Sequence, residues 1–259
     1  MTKLQQLLRL NDWLLSDMPQ YQKQAESFSI DEQGQWRLFR SLVNVREPKP
    51  VSNEFIEWQD AFLQNEIRQK GITDLTDLIP VKDNIYLWQG DITTLRVDAI
   101  VNAANNQMLG CFIPGHSCID NAIHTYAGVQ LRMECAEIMK NQGGLEPTGS
   151  AKITKAYNLP CRYVIHTVGP IISGRLMQKD CDLLASCYRA CLDLAHKNRL
   201  NSIAFCCIST GEFHFPNEKA AEIAIGTVVE YFRYNTNMSV VFNVFKEKDL
   251  QIYRSLLGE

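Results

Sequence analysis

The chain has 259 residues with a net charge of -3, 46% hydrophobic and 21% charged. This balance excludes disorder and a fibrous class and leaves room for one α/β domain of about 150 to 180 residues plus an extension. The slight acidity gives no positive field to hold a nucleic-acid backbone, and no apolar run approaches the ~18 residues that cross a bilayer. The opening stretch Met1–Leu15 is broken by Arg9, Asn11 and Asp12 where a signal peptide is purely apolar, so the chain reads as cytoplasmic.

In chain order, residues 1–80 carry helical spacing. The apolar positions are Leu4, Leu7, Leu8 and Trp13 to Leu15, then Trp36, Leu38, Phe39, Leu42 and Val43, then Phe55, Ile56, Trp58, Phe62 and Ile67. Pro48 and Pro50 interrupt the pattern, and Gly71 ends a helix of about 19 residues that starts near Ser52. We expect a helical N-terminal extension over 1–80 and a second unit over 81–259.

From residue 84 the pattern changes to short apolar runs: Ile85 to Gln89, Ala99 to Ala104, Ala151 to Tyr157, Tyr163 to Val168, Ile203 to Ile208 and Val240 to Phe245. Helical stretches lie between or after them at Ser117 to Met139, Gln178 to Lys197, Asn217 to Arg233 and Lys246 to Leu257. Strands alternating with helices predict an α/β class, a parallel or mixed sheet covered on both faces. Its ligand belongs at the strand carboxyl ends.

Four segments can carry chemistry. In Gly90-Asp91-Ile92 a carboxylate just past a strand can accept from an exocyclic amine, although read alone such an Asp is more often a turn residue or helix cap. In Asn102-Ala103-Ala104-Asn105 the small residues allow a sharp bend, and the asparagines offer donors and acceptors to a polyhydroxyl ligand or simply form a turn. Ser209-Thr210-Gly211-Glu212-Phe213 lies between a strand and a helix, where successive backbone N–H groups can cradle a diphosphate without a basic patch.

The remaining segment, Gly110 to Asp120, holds Cys111, His116 and Cys118 within eight residues, with Pro114 and Gly115 letting the loop fold back. Thiolate and imidazole suit Zn2+, and three local ligands leave a fourth position open, as in catalytic rather than structural zinc sites. Nine cysteines is an odd number, and cytoplasmic thiols stay reduced, so disulfides are not expected. Cys135, Cys161, Cys206 and Cys207 read as packing residues.

Taken together, the segments resemble the macrodomain family over roughly residues 84–259. The resemblance rests on Gly90-Asp91-Ile92, Val97 to Asn105, Pro147-Thr148-Gly149, Tyr157 to Pro160, Tyr163 to Pro170 and Ile208 to Pro216. It implies a three-layer α/β/α sandwich with a mixed central sheet. ADP-ribose would have its adenine at Asp91 and Ile92, its diphosphate on Cys118, Ile119, Asp120 and Ser209 to Phe213, and its distal ribose beside Asn105 and Phe213. The Cys/His loop in place of a glycine-rich run, the helical extension and His214 are similar to the zinc-dependent macrodomains of bacteria. That branch removes ADP-ribose from proteins, commonly beside a sirtuin-type transferase and a lipoyl-carrier protein. The resemblance therefore implies one zinc on Cys111, His116 and Cys118, with Asp120 positioning or deprotonating a water and Asn105 orienting the ribose. Two other activities share the pocket: a non-catalytic ADP-ribose reader with structural zinc, and an esterase or phosphatase acting on free ADP-ribose derivatives.

Overall fold

The computed structural model describes residues 1–234 and 237–258. Thr2 and Gln5 form a reciprocal capping box at the start of α1 (Lys3–Asp17), and the short α2 (Gln22–Ala25) follows. Asp31 caps α3 (Glu32–Val45) through the Gly34 amide, and Ser52 caps α4 (Asn53–Lys70) through that of Phe55. Gly71, at φ 87°, ends α4. The apolar stripes of these helices meet in a core of their own. Leu7, Leu10, Leu14, Phe39, Phe55 and Phe62 are almost completely buried there, and each burial contributes ~1.5–3 kcal/mol.

The remaining elements are β1 (Thr73–Asp74), β2 (Pro80–Lys82), β3 (Ile85–Gln89), β4 (Leu95–Arg96), β5 (Ala99–Ala103), α5 (Ile119–Ala127), α6 (Val129–Gln142), β6 (Ala151–Lys155), β7 (Tyr163–Thr167), α7 (Gln178–Lys197), β8 (Ser202–Phe205), α8 (Asn217–Phe232), β9 (Ser239–Val244) and α9 (Glu247–Leu257). A seven-stranded sheet runs β2-β3-β9-β8-β5-β7-β6, parallel from β3 to β7 and antiparallel at its two edge pairs, while β1 and β4 pair separately. The central β5 is apolar on both faces except at Asn102, because helices flank the sheet. On one side α7 packs on β6 and β7, α9 on β3 and β9, and α8 between them; α5 and α6 lie against β5 and β6.

Sequence periodicity misses β1, β2 and β4, which at two or three residues are too short to show a period. The single helix expected over Ser117 to Met139 is two. Gly128, at φ 96°, breaks it, and a Cβ there would lie 2.6 Å from Gln59 Nε2, so the close approach of α4 fixes the break. The strands expected to reach Tyr157 and Ile208 stop at Lys155 and Phe205, and Tyr157 turns away at φ 54°.

Candidate active site

Five adjacent strands running parallel put the ends of β3, β5, β7, β8 and β9 on one edge of the sheet, which gathers the four segments. Asp91, after β3, caps the turn Ile92–Thr94. Its Oδ1 accepts from Thr93 N at 3.0 Å and Thr93 Oγ1 at 2.6 Å, and its Oδ2 accepts from Lys70 Nζ at 2.7 Å. Burial pushes its pKa up, but these bonds outweigh that and hold it below the ordinary carboxylate value. Three donors occupy three of about four lone-pair sites, which leaves one for an incoming amine. The Ile92 side chain belongs to the core, so only its backbone remains for a ligand.

Beneath the site, Asn102 on β5 and His166 on β7 are register partners with no exposed surface. Asn102 Nδ2 donates to Asp120 Oδ1 at 2.8 Å and lies 3.1 Å from His166 Nδ1. An amide NH2 can only donate, so His166 accepts at Nδ1 and carries its proton on Nε2, 2.9 Å from Thr154 Oγ1. Burial lowers the His166 pKa to about 3, in agreement with a neutral ring.

Asp120, in the first turn of α5, is 5% exposed. Burial pushes its pKa up to about 6, against the Asn102 bond and the charge of Arg132. Asn105 Nδ2 donates to Gly110 O at 3.0 Å and stands 3.4 Å from Asp120 Oδ2, so the bend after β5 and the start of α5 meet at this carboxylate. His124, one turn further, holds Nε2 3.5 Å from Asp120 Oδ1. Gly110, at φ 79°, has no room for a side chain, since a Cβ would lie 2.8 Å from the His124 ring.

The structure brings Cys111, His116 and Cys118 together, their ligand atoms all within 4.8 Å of one another and Cys111 Sγ 3.7 Å from His116 Nδ1. Zinc bonds of ~2.3 Å to sulfur and ~2.05 Å to nitrogen at a tetrahedral angle require about 3.6 Å between such atoms, so the trio fits the ion. Cys118 caps α5, its Sγ accepting from Asn121 N at 3.4 Å; burial first, then the neighbouring Cys111 thiol, push it up to about 12 despite that bond. His124, Cys135 and His166 also converge, but all three are buried and both His166 nitrogens are already engaged. The half-exposed trio is the one an ion can reach.

The loop after β8 approaches the Cys/His loop at the same sheet edge. Ser209 (φ 64°) and His214 (φ 56°) are left-handed turns at its two ends, and Phe213 O accepts from Ile172 N at 2.9 Å. The Ser209 side chain is buried, whereas Thr210 and Phe213 are half-buried and Gly211 and Glu212 exposed. Glu212 Oε1 lies 3.6 Å from His116 Nε2, so this loop and the Cys/His loop face each other. Sequence reasoning read Asn102 as a ligand contact, whereas its amide is turned to Asp120 and His166, and it missed His166, Arg132, Lys70, Arg40 and Asn44. For the two strand residues a signal existed, a polar side chain at a position the pattern makes fully buried.

This fold and site define a macrodomain. The chain belongs to the Macro domain family, whose profile matches residues 101–224. A protein-ADP-ribose hydrolase of Treponema medium is 56% identical over 263 residues, spanning 100% of this chain and 100% of its own. One from Staphylococcus aureus (strain MSSA476) is 56% identical over 222 residues, 85% of this chain and 83% of its own. Among solved structures, the Trypanosoma brucei macrodomain in complex with ADP-ribose matches with a TM-score of 0.65 at 32% identity, over 85% of this chain and 95% of its own. No helix among the described residues is long and apolar enough to cross a membrane.

Proposed function

We propose that the chain is a zinc-dependent hydrolase that removes ADP-ribose from ADP-ribosylated proteins. The observation that carries this reading is the meeting of the Cys111/His116/Cys118 loop with Asp120 and Asn105 beyond the end of β5, on the same sheet edge as Asp91 after β3. ADP-ribose laid between them has its adenine amine at Asp91 and its diphosphate against the start of α5 and the backbone of Ser209 to Phe213. Its distal ribose lies at Asn105. Zinc on the three ligands would supply a Lewis acid with an open coordination position beside that ribose.

The chain's own residues do the rest. Asn105, anchored to Gly110 O, orients the ribose. Asp120, fixed by Asn102 and held in a poorly solvated position, positions a water at the anomeric carbon and takes its proton as the bond to the acceptor breaks. The nine free thiols suit a reducing compartment, which is the cytoplasmic location we assign.

The test is incubation with a panel of proteins carrying ADP-ribose through different linkages, including a lipoyl-carrier protein modified by a sirtuin-type transferase, with released ADP-ribose followed by chromatography. Release that is lost on chelation and restored by zinc is expected. Binding without release from any linkage would make the chain a reader, and turnover only of free ADP-ribose derivatives would make it an esterase or phosphatase. Elemental analysis should find about one zinc per chain. Unchanged zinc content in Cys111→Ala/Cys118→Ala would remove the metal from this loop.

A further inference from the structure

The Cys/His loop lies outside the sheet and its helices, yet three side chains must meet within a metal's reach. Its residues between Cys111 and Cys118 form no helix or strand, and Gly115 sits at φ 64°. What fixes it comes from helix α3 of the N-terminal region. Arg40 Nη2 donates to His116 O at 2.6 Å, and Arg40 Nε and Nη2 both reach Asn121 Oδ1, at 3.1 and 2.9 Å. Asn121 in turn donates from Nδ2 to Ile113 O at 3.1 Å. One turn further along α3, Asn44 Oδ1 accepts from Gly115 N at 2.9 Å while its Nδ2 donates to Thr125 Oγ1 at 3.0 Å.

The base of the loop is tied to the same helix. Arg132 of α6 donates to Leu109 O at 2.6 Å, just before the loop, and to the α3 terminal carbonyls of Val43, Asn44 and Arg46 at 3.0, 2.8 and 2.6 Å. These contacts leave the three ligand side chains free. They grip the loop by its backbone on both sides of Pro114, at Ile113 through Asn121 and at Gly115 and His116 directly.

We propose that α3 is the positioning scaffold of the metal loop, and that Arg40 and Asn44 are positioning residues that set its zinc affinity, a role that rests on the zinc assignment above. Groups of this kind that orient metal ligands from behind typically account for about 10- to 100-fold in affinity. An Arg is suited to the task because its rigid fork spans the His116 carbonyl and the Asn121 amide at once, which a lysine ammonium cannot do in the same geometry.

Zinc affinity of the full chain, measured by competition with a chromogenic chelator, tests this beside thermal midpoints with and without the metal. Arg40→Ala and Asn44→Ala should each bind zinc about 10- to 100-fold more weakly and show a smaller zinc-induced rise in midpoint. Arg40→Lys should fall between Arg40→Ala and wild type. Gln59→Ala removes contacts of α4 with α6 instead, the bonds to Val129 N and Gln130 Oε1. It should lower the zinc-free midpoint and leave zinc affinity unchanged. Wild-type zinc affinity in both Arg40→Ala and Asn44→Ala, with only the zinc-free midpoint lowered, would overturn the scaffold role and reduce these bonds to simple docking. Absence of zinc from the wild-type chain would instead overturn the zinc assignment and this role together.

Discussion

Asp120 keeps only 5% of its surface exposed, a poor position for a residue meant merely to interact with solvent or with the dipole at a helix start. Its Oδ1 is taken by Asn102, and Asn102 can aim its amide nowhere else because His166 occupies the second hydrogen. The other oxygen is left toward Asn105. If it positions the attacking water, Asp120→Ala should lose ~10²-fold or more in turnover while ADP-ribose binding changes far less. A helix-start carboxylate would instead cost about 1 kcal/mol of stability and keep the rate. Single-turnover release, calorimetry and the thermal midpoint of the same variant separate the two outcomes. Asp91→Ala should behave in the opposite sense. If Asp91 accepts from the adenine amine, its loss should weaken ADP-ribose binding by about 1.5–3 kcal/mol, or roughly 10- to 150-fold. Equal affinity by calorimetry would take Asp91 out of the site.

At the scale of elements, the site divides into parts that the sequence displays and parts that only pairing reveals. The convergence of Cys111, His116 and Cys118 was legible because the three side chains share one short loop and their capacity to bind a metal is shown by residue type alone. The His166–Asn102–Asp120 chain was not, since it depends on β5 and β7 lying side by side in one register, which periodicity does not fix. Lys70 at Asp91 was hidden for the same reason: it arrives from the end of α4. The β5/β7 chain has a pH consequence. His166 ordinarily titrates near 6.5, but burial lowers its folded pKa to about 3. Above pH ~6.5 it is neutral in both folded and unfolded states, so its contribution to stability is constant. Below that the unfolded chain takes up a proton the native protein refuses, and stability falls by about 1.4 kcal/mol per pH unit until the folded pKa is reached. Urea unfolding at several values between pH 6.5 and 4 should show a steeper decline for wild type than for His166→Gln, by about one proton. Parallel slopes would mean that the ring is charged in the native state.

For the whole molecule, the question is whether its two cores melt together. The helical core formed by α1, α3 and α4 also takes in Val129 and the ring of Tyr126, which stands 5.7 Å from Trp36. Polar ties reinforce this seam. Asp60 accepts from Gln130 and Asn158, and Arg132 holds three carbonyls at the end of α3 together with Leu109 O. Burial lowers Arg132 to about 10, so its guanidinium stays charged at neutral pH and bonds to charged donors of this kind contribute ~1.5–3 kcal/mol each. Three of the four tryptophans, Trp13, Trp36 and Trp58, lie on those helices, whereas all nine cysteines lie at or beyond Cys111. Tryptophan fluorescence therefore follows mainly the first core, and the reactivity of the buried thiols Cys135, Cys161, Cys187, Cys191 and Cys206 follows the sheet and its helices. In wild type the two urea transitions should coincide. Arg132→Met removes the shared guanidinium and leaves buried carbonyls of Val43, Asn44 and Arg46 without that partner, so the helical core should lose stability first. The fluorescence midpoint should then fall below the thiol midpoint, by an amount that grows with the number of carbonyls left unsatisfied. Two transitions already separated in wild type would mean that the seam is weaker than its contacts indicate. Transitions that still coincide in Arg132→Met would place the coupling in the apolar contacts of Val129 and Tyr126 instead.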